Sequence, residues 1–248
     1  AVLDQELVKE YVNSLRKKYD TIFHKRKFLT SYGEEVTIDQ GDYGWWMDVG
    51  QETEELIGLL ERGESGERIP VYRQMAASHE TPDYRDSYVE INLTAQHLFL
   101  YQNGECVLES DFVSGNPSRG NETPAGIYGI TYKERNATLT GETYQTPVSF
   151  WMPFNNNVGM HDASWRSEFG RNIYRTNGSH GCINLPYSVA QEIYDYVEKD
   201  TPVICYHLPG TEPEPLPEIP PESEPESGME PGAEPPEVIS EQPLVQGQ

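Results

Sequence analysis

From Tyr88 apolar side chains alternate with polar ones and β-rich runs follow as far as Val113, and no other stretch restricts the fold so tightly. Val89, Ile91 and Leu93 share one face of an extended chain, residues 97–101 continue the strand-like composition, and residues 106–113 return as a second strand. A period of two fits a half-buried strand and excludes a helix. Gln102-Asn103-Gly104 lies between the two runs, and Asn-Gly accepts the positive φ angles of a tight hairpin turn. Residues 115–121 read as a loop, Thr123-Pro124-Ala125-Gly126 as a turn and residues 127–132 as another strand. The pattern predicts a mostly β domain of short strands and Gly/Pro-rich turns. One helix follows, opened by the capping-box pattern of Ser188 and Gln191, with Val189, Ile193 and Val197 on one face; residues 201–207 form a closing strand.

The flanks behave differently. Leu3, Leu7, Tyr11, Leu15, Ile22 and Phe23 recur near the helical period, and Leu56, Ile57, Leu59 and Leu60 give a second helix over residues 53–62. These form a small N-terminal α/β unit that ends in the turn-rich residues 78–83. Trp45 and Trp46 read as core residues first and glycan contacts second. From Pro209 onward the chain has ten Glu, no Asp, Lys or Arg, and almost no large apolar residue. Such a segment cannot offset its backbone entropy by burial, so residues 209–248 are expected to be a disordered tail.

The net charge of -23 argues against a nucleic-acid partner, since a phosphate backbone would be repelled. No run of eighteen apolar residues is present, and residues 1–12 lack the basic start and apolar core of a signal peptide. Cytoplasmic residence and removal of an export or anchor segment both fit. Three cysteines, Cys106, Cys182 and Cys205, make neither a disulfide framework nor a structural zinc site. Cys106 and Cys205, each within a strand, read as small buried or half-buried residues.

The remaining cysteine has chemical company. Gly159-Met160-His161-Asp162 is followed by a polar loop and then by Gly178-Ser179-His180-Gly181-Cys182-Ile183-Asn184-Leu185-Pro186. A thiol transfers acyl groups well when a base can take its proton, N–H donors await the oxyanion and substrate can reach the sulfur. His161 and His180 are the candidate bases, and Gly181 leaves room beside the sulfur. Arg166, Arg171 and Arg175 outnumber Glu168 in the intervening loop, which favours thiolate formation.

The run Ser179-His180-Gly181-Cys182-Ile183-Asn184, with His161 upstream, resembles the signature of the L,D-transpeptidase catalytic (YkuD) domain. The hairpin at residues 88–105, Ser114-Gly115 and the turn at residues 123–128 resemble the same family. Residues 43–72 are similar to the peptidoglycan-binding domain that precedes it in Gram-positive bacteria. The resemblance implies an L,D-transpeptidase-type β-sandwich with a packed helix over residues 83–208, behind an accessory domain at residues 1–82. It implies Cys182 as nucleophile, His161 as base oriented by the Asp162 backbone carbonyl, and Ser179, His180 and Gly181 shaping the site. Gly181 and Cys182 would supply oxyanion N–H groups, Asn184 would fix the following loop, and Tyr144 is a candidate hydroxyl donor. It implies no metal or organic cofactor and partners that are peptidoglycan stem peptides and glycan, on the extracellular face of a Gram-positive envelope. The activity implied is 3→3 cross-linking through a thioester that carbapenems also target. An L,D-carboxypeptidase, a catalytically silent wall-binding protein and a metal site of His161, His180 and Cys182 are the rivals.

Overall fold

A computed structural model describes residues 3–141 and 145–214. The predicted hairpin is present. Strands β5 (Tyr88–Asn92), β6 (His97–Gln102) and β7 (Glu105–Asp111) run antiparallel, and Asn103 and Gly104 both take positive φ, 51° and 82°. The sheet continues through β13 (Pro202–Tyr206), parallel to β5, and β8 (Gly126–Gly129), in the order β7-β6-β5-β13-β8. A second sheet has the order β12-β11-β10-β9, from β9 (Glu134–Thr140), β10 (Gln145–Asn155), β11 (Val158–Asp162) and β12 (Ile183–Leu185). The two sheets and the helix Tyr187–Tyr196 enclose one core that includes Ile91, Leu98, Leu100, Met152, Met160 and Ile193. The chain is mostly β, as the period-two pattern requires.

Strand β13 explains how the rest of the chain attaches. Val203 and Cys205 enter the core between the sheets, whereas Ile204 and Tyr206 enter a second cluster with Phe28, Ile38, Tyr43, Tyr84 and Ile127. A strand buried on both faces reads as a continuous apolar run rather than an alternating one. The outer face is covered by a hairpin of β1 (Arg26–Leu29) and β2 (Glu35–Ile38). Backbone bonds reinforce the contact: Tyr43 N–H donates to Ile127 C=O and Ile127 N–H to Gln40 C=O, both at 3.0 Å. Packing therefore continues across the turn-rich residues 78–83. Asp83 itself forms an ion pair with Arg26 at 2.7 Å and accepts from Thr21.

Beyond the hairpin lie α1 (Gln5–Tyr19), α2 (Val49–Arg62) and the short pair β3 (Trp46–Met47) and β4 (Tyr72–Gln74). Asp4 caps α1 by accepting from the N–H groups of Glu6 and Leu7, and Asp48 caps α2 by accepting from Gln51. The apolar face expected of α1 is not the buried one. Val8 and Val12 are buried, while Leu7 and Tyr11 are 61% and 55% exposed. The i, i+4 pair of valines packs, and Leu7 and Tyr11 stay in solvent. Trp45 is buried and donates to Ser78 C=O at 2.6 Å, whereas Trp46 is half-buried beneath Arg73.

Two further expectations differ. The helix Tyr187–Tyr196 starts two residues earlier than a Ser188 cap would place it: Pro186 is the cap residue, Ser188 makes no capping bond, and Pro186 C=O accepts from Ala190 N–H. Cys106 is exposed, on the solvent side of the sheet's edge strand, whereas Cys205 is buried. Contacts continue past Leu208, since Asn92 donates to Thr211 Oγ1 at 3.0 Å. Most of the acidic segment, residues 215–248, lies outside the described residues.

Candidate active site

Parallel pairing of β11 with β12 sets His161 directly beside Asn184, because register partners in adjacent strands project to the same face. Cys182 lies just before β12 on a turn that needs its glycine. Gly181 has φ +125°, a backbone conformation that L side chains rarely adopt. His161, Cys182, Ser179, His180, Asn184, Trp165 and Arg166 line one cavity of about 310 Å³, and His180 is exposed at it.

A polar lattice holds the turn. Ser179 Oγ accepts from Gly181 N–H at 3.0 Å and donates to Cys182 C=O at 2.6 Å. Thr123 Oγ1 accepts from Gly115 N–H at 3.0 Å and donates to Gly181 C=O at 2.6 Å. Bridges of Val113 with Asn184 and Gly115 with Ser179 complete the frame. The Gly181 N–H expected at the oxyanion is therefore already engaged by Ser179. Cys182 N–H has no acceptor among the described residues. Tyr144 lies outside the described residues.

The buried His161 ring has a defined tautomer. Nδ1 is 2.9 Å from Asp162 C=O, which can only accept, so Nδ1 carries the proton and Nε2 the lone pair. The Asp162 carboxyl is occupied elsewhere, accepting from the N–H groups of Ser149 and Phe150 at 2.8 Å each. With its amide turned so that donors meet acceptors, Asn184 donates to His161 Nε2 at 3.1 Å. Its oxygen then accepts from Arg166 Nε at 2.8 Å and Nη2 at 3.2 Å. Asn184 thus links a cation to the lone pair of the imidazole.

Burial favours the neutral form of both sulfur and imidazole. Burial against Trp151 and its neighbours pushes the Cys182 thiol up to about 11, and burial holds the His161 imidazole below its ordinary value. The sulfur is 3.5 Å from the Asn157 carbonyl, an acceptor for S–H. Desolvation of the sulfur opposes the thiolate that the basic residues of the loop were expected to favour. Among the described residues no cluster of three or more His, Cys, Asp or Glu could hold a metal ion. Sequence reasoning missed the tie made by Thr123 and the position of Arg166. Thr123 sits in a recognisable turn motif, but nothing local signals that its hydroxyl reaches residue 181.

Residues 86–205 match the L,D-transpeptidase catalytic domain family, and residues 1–68 match a peptidoglycan-binding domain family. The crystal structure of a Cys-to-Ser mutant of Enterococcus faecium L,D-transpeptidase is 39% identical, with a TM-score of 0.67; the match covers 82% of this chain and 83% of that one. The carbamoyl enzyme formed by Ldtfm with avibactam is also 39% identical, with a TM-score of 0.67, covering 82% and 81%. The search of curated proteins gave no match. Over four-fifths of its length, then, the chain follows an L,D-transpeptidase in sequence and fold, and it belongs to the L,D-transpeptidase family of cell-wall acyltransferases that act on peptidoglycan.

Proposed function

We propose that transpeptidation runs through a thioester on Cys182, with His161 as the base. The observation that carries this reading is a thiol sharing one cavity with a buried imidazole whose Nδ1–H is committed to Asp162 C=O, leaving the lone pair on Nε2. When a donor enters, His161 Nε2 exchanges its Asn184 donor for the Cys182 thiol and takes the proton. The sulfur attacks the carbonyl carbon of the third residue of a tetrapeptide stem. The C–N bond to D-alanine breaks, and the proton on His161 passes to the departing amine. The side-chain amine of a neighbouring stem then attacks the thioester, its proton returns through His161 to the sulfur, and a 3→3 cross-link results. Cys182 N–H faces the developing oxyanion, while Ser179, Gly181 and His180 shape the turn around it.

Disaccharide-tetrapeptide is expected to leave its acyl part, without D-alanine, on Cys182 in a mass spectrum of the intact protein. Adding a second stem with a free amine should clear the adduct and yield a cross-linked dimer. Equal clearing in water with no dimer would make the protein an L,D-carboxypeptidase. If no adduct forms on Cys182, the nucleophile is misassigned. Avibactam, which forms a carbamoyl enzyme with Ldtfm, is a second probe for the same sulfur.

Residues 1–82 contribute glycan affinity in this reading, residues 83–208 the chemistry, and the site of action is the outer face of a Gram-positive envelope. The family match at residues 1–68 supports the first assignment. Sedimentation with insoluble peptidoglycan should fall when residues 1–82 are removed, and undiminished binding would refute a glycan role for them.

A further inference from the structure

The catalytic cavity contains a cation with no anionic partner among the described residues. Arg166 is only partly exposed and lines the cavity that holds Cys182. Of its N–H groups, Nε and Nη2 meet the Asn184 oxygen, a neutral acceptor, and no described carboxyl pairs with the guanidinium. Asp162, the last residue of β11, spends its carboxyl on backbone N–H groups. Burial pulls the Arg166 pKa down, yet a guanidinium remains charged at neutral pH. Withdrawing such a charge from water without a counter-ion is costly, and the arrangement becomes favourable once a carboxylate enters. The chain carries a net charge of -23, so a lone cation inside the reaction cavity is not part of a general basic surface.

The reaction itself brings a carboxylate to this spot. If the thioester reading above holds, the attacked carbonyl is joined through one amide to the terminal D-alanine, whose carboxylate lies a few bonds beyond the carbon bonded by sulfur. We propose that Arg166 anchors the terminal carboxylate of the donor stem, the carboxylate of the residue that leaves. One guanidinium edge holds Asn184, and the remaining N–H groups take the carboxylate. Donor binding is thereby coupled to the side chain that occupies the His161 lone pair.

The experiment compares two donors, a disaccharide-tetrapeptide with a free terminal carboxylate and the same compound as the terminal carboxamide. Release of D-alanine or D-alaninamide and acylation of Cys182 are followed on the full chain, for the native protein, Arg166→Gln and Arg166→Lys. Native protein should prefer the acid by roughly 10- to 100-fold in kcat/KM, the usual worth of a hydrogen bond to a charged group. Arg166→Gln should bring that ratio close to one, and Arg166→Lys should retain part of it. If Arg166→Gln slows both donors equally and keeps the ratio, Arg166 only positions Asn184 and the proposal is overturned. A native protein that is acylated equally by both donors overturns it as well. Failure of either donor to acylate Cys182 in native protein would instead defeat the thioester reading, and this proposal with it. Arg166→Lys, which retains a donor for Asn184, keeps the test open should the Gln variant fold poorly.

Discussion

The cavity around Cys182 and the outer face of the five-stranded sheet are built from opposite materials. Around Cys182, small residues and hydroxyls thread the backbone together: Thr123 bonds Gly115 and Gly181, and Ser179 bonds Gly181 and Cys182. On the outer face, aromatic rings pack with little room for chemistry; Phe28 contacts Tyr84, Tyr88 and Tyr206 with ring centroids 5.7–5.9 Å apart. A buried carboxylate is satisfied there: Glu90 accepts from Ser31 and from the Tyr206 hydroxyl. Reactivity thus belongs to the four-stranded sheet and this aromatic packing to the five-stranded one, with the shared core between them. Changes in the cavity should cost rate, and changes beneath the hairpin should cost stability.

The strongest attempt to break that separation is removal of the sulfur. Cys182→Ala should abolish acyl transfer while shifting the melting temperature by only a few degrees. His161→Ala should slow transfer by about two to four orders of magnitude, the usual worth of a positioned base. Residual transfer by Cys182→Ala above the buffer rate would remove Cys182 from its assigned role.

The pH response sharpens the picture of the cavity. With the Cys182 thiol raised to about 11 by burial and His161 held neutral, the sulfur stays protonated through neutral pH. Its alkylation by iodoacetamide in substrate-free protein should climb about tenfold per pH unit and level off near 11. A plateau already reached at pH 6 would mean a preformed thiolate-imidazolium pair. The linkage sign follows: the folded thiol titrates later than an unfolded one, so this group's contribution to stability is complete below pH 9 and lost as pH rises toward 11.

On the other side, deleting residues 1–82 uncovers Ile127, Ile204 and Tyr206. Each buried side chain of this size contributes roughly 1.5–3 kcal/mol, so the melting temperature should fall by at least about 10 °C. Transfer to a small acceptor by the surviving fold, measured well below that temperature, should remain within a few-fold of the full chain. An unchanged melting temperature would show that the hairpin is not a structural cover.

Thr123→Val tests the border between the two behaviours. It leaves the Gly115 N–H and Gly181 C=O without their shared partner, at a cost of about 1–3 kcal/mol. The expected result is a loss of several degrees together with slower acylation, because the same bonds fix the nucleophile's turn. A loss of stability with full activity would mean that the turn is held without Thr123. The smallest effect is expected from truncation after Glu214. The Pro- and Glu-rich composition beyond that point offers little to bury, so the melting temperature should stay within about 1–2 °C. The cut belongs after Thr211 rather than at Leu208, since Thr211 bonds Asn92.

By itself, the sequence determined the elements governed by neighbours along the chain. The alternation of Val89, Ile91 and Leu93 dictates a strand, and Asn103-Gly104 dictates its turn, because both depend on local backbone sterics. The spacing of Ser179, His180, Gly181 and Cys182 was equally legible, as these residues act within a single turn. What lay beyond reach depends on groups far apart in the chain. Which face of α1 is buried depends on its neighbour, so Val8 and Val12 are covered and Leu7 is not. The ionisation of Cys182 depends on its desolvation among Trp151 and its neighbours, which the sequence around the cysteine does not show. The contact from Arg166 through Asn184 to His161 exists only because β11 and β12 pair in parallel with His161 opposite Asn184. Side-chain spacing sets local geometry, but burial and electrostatics sum over whatever the fold brings near, and only the tertiary structure decides that sum.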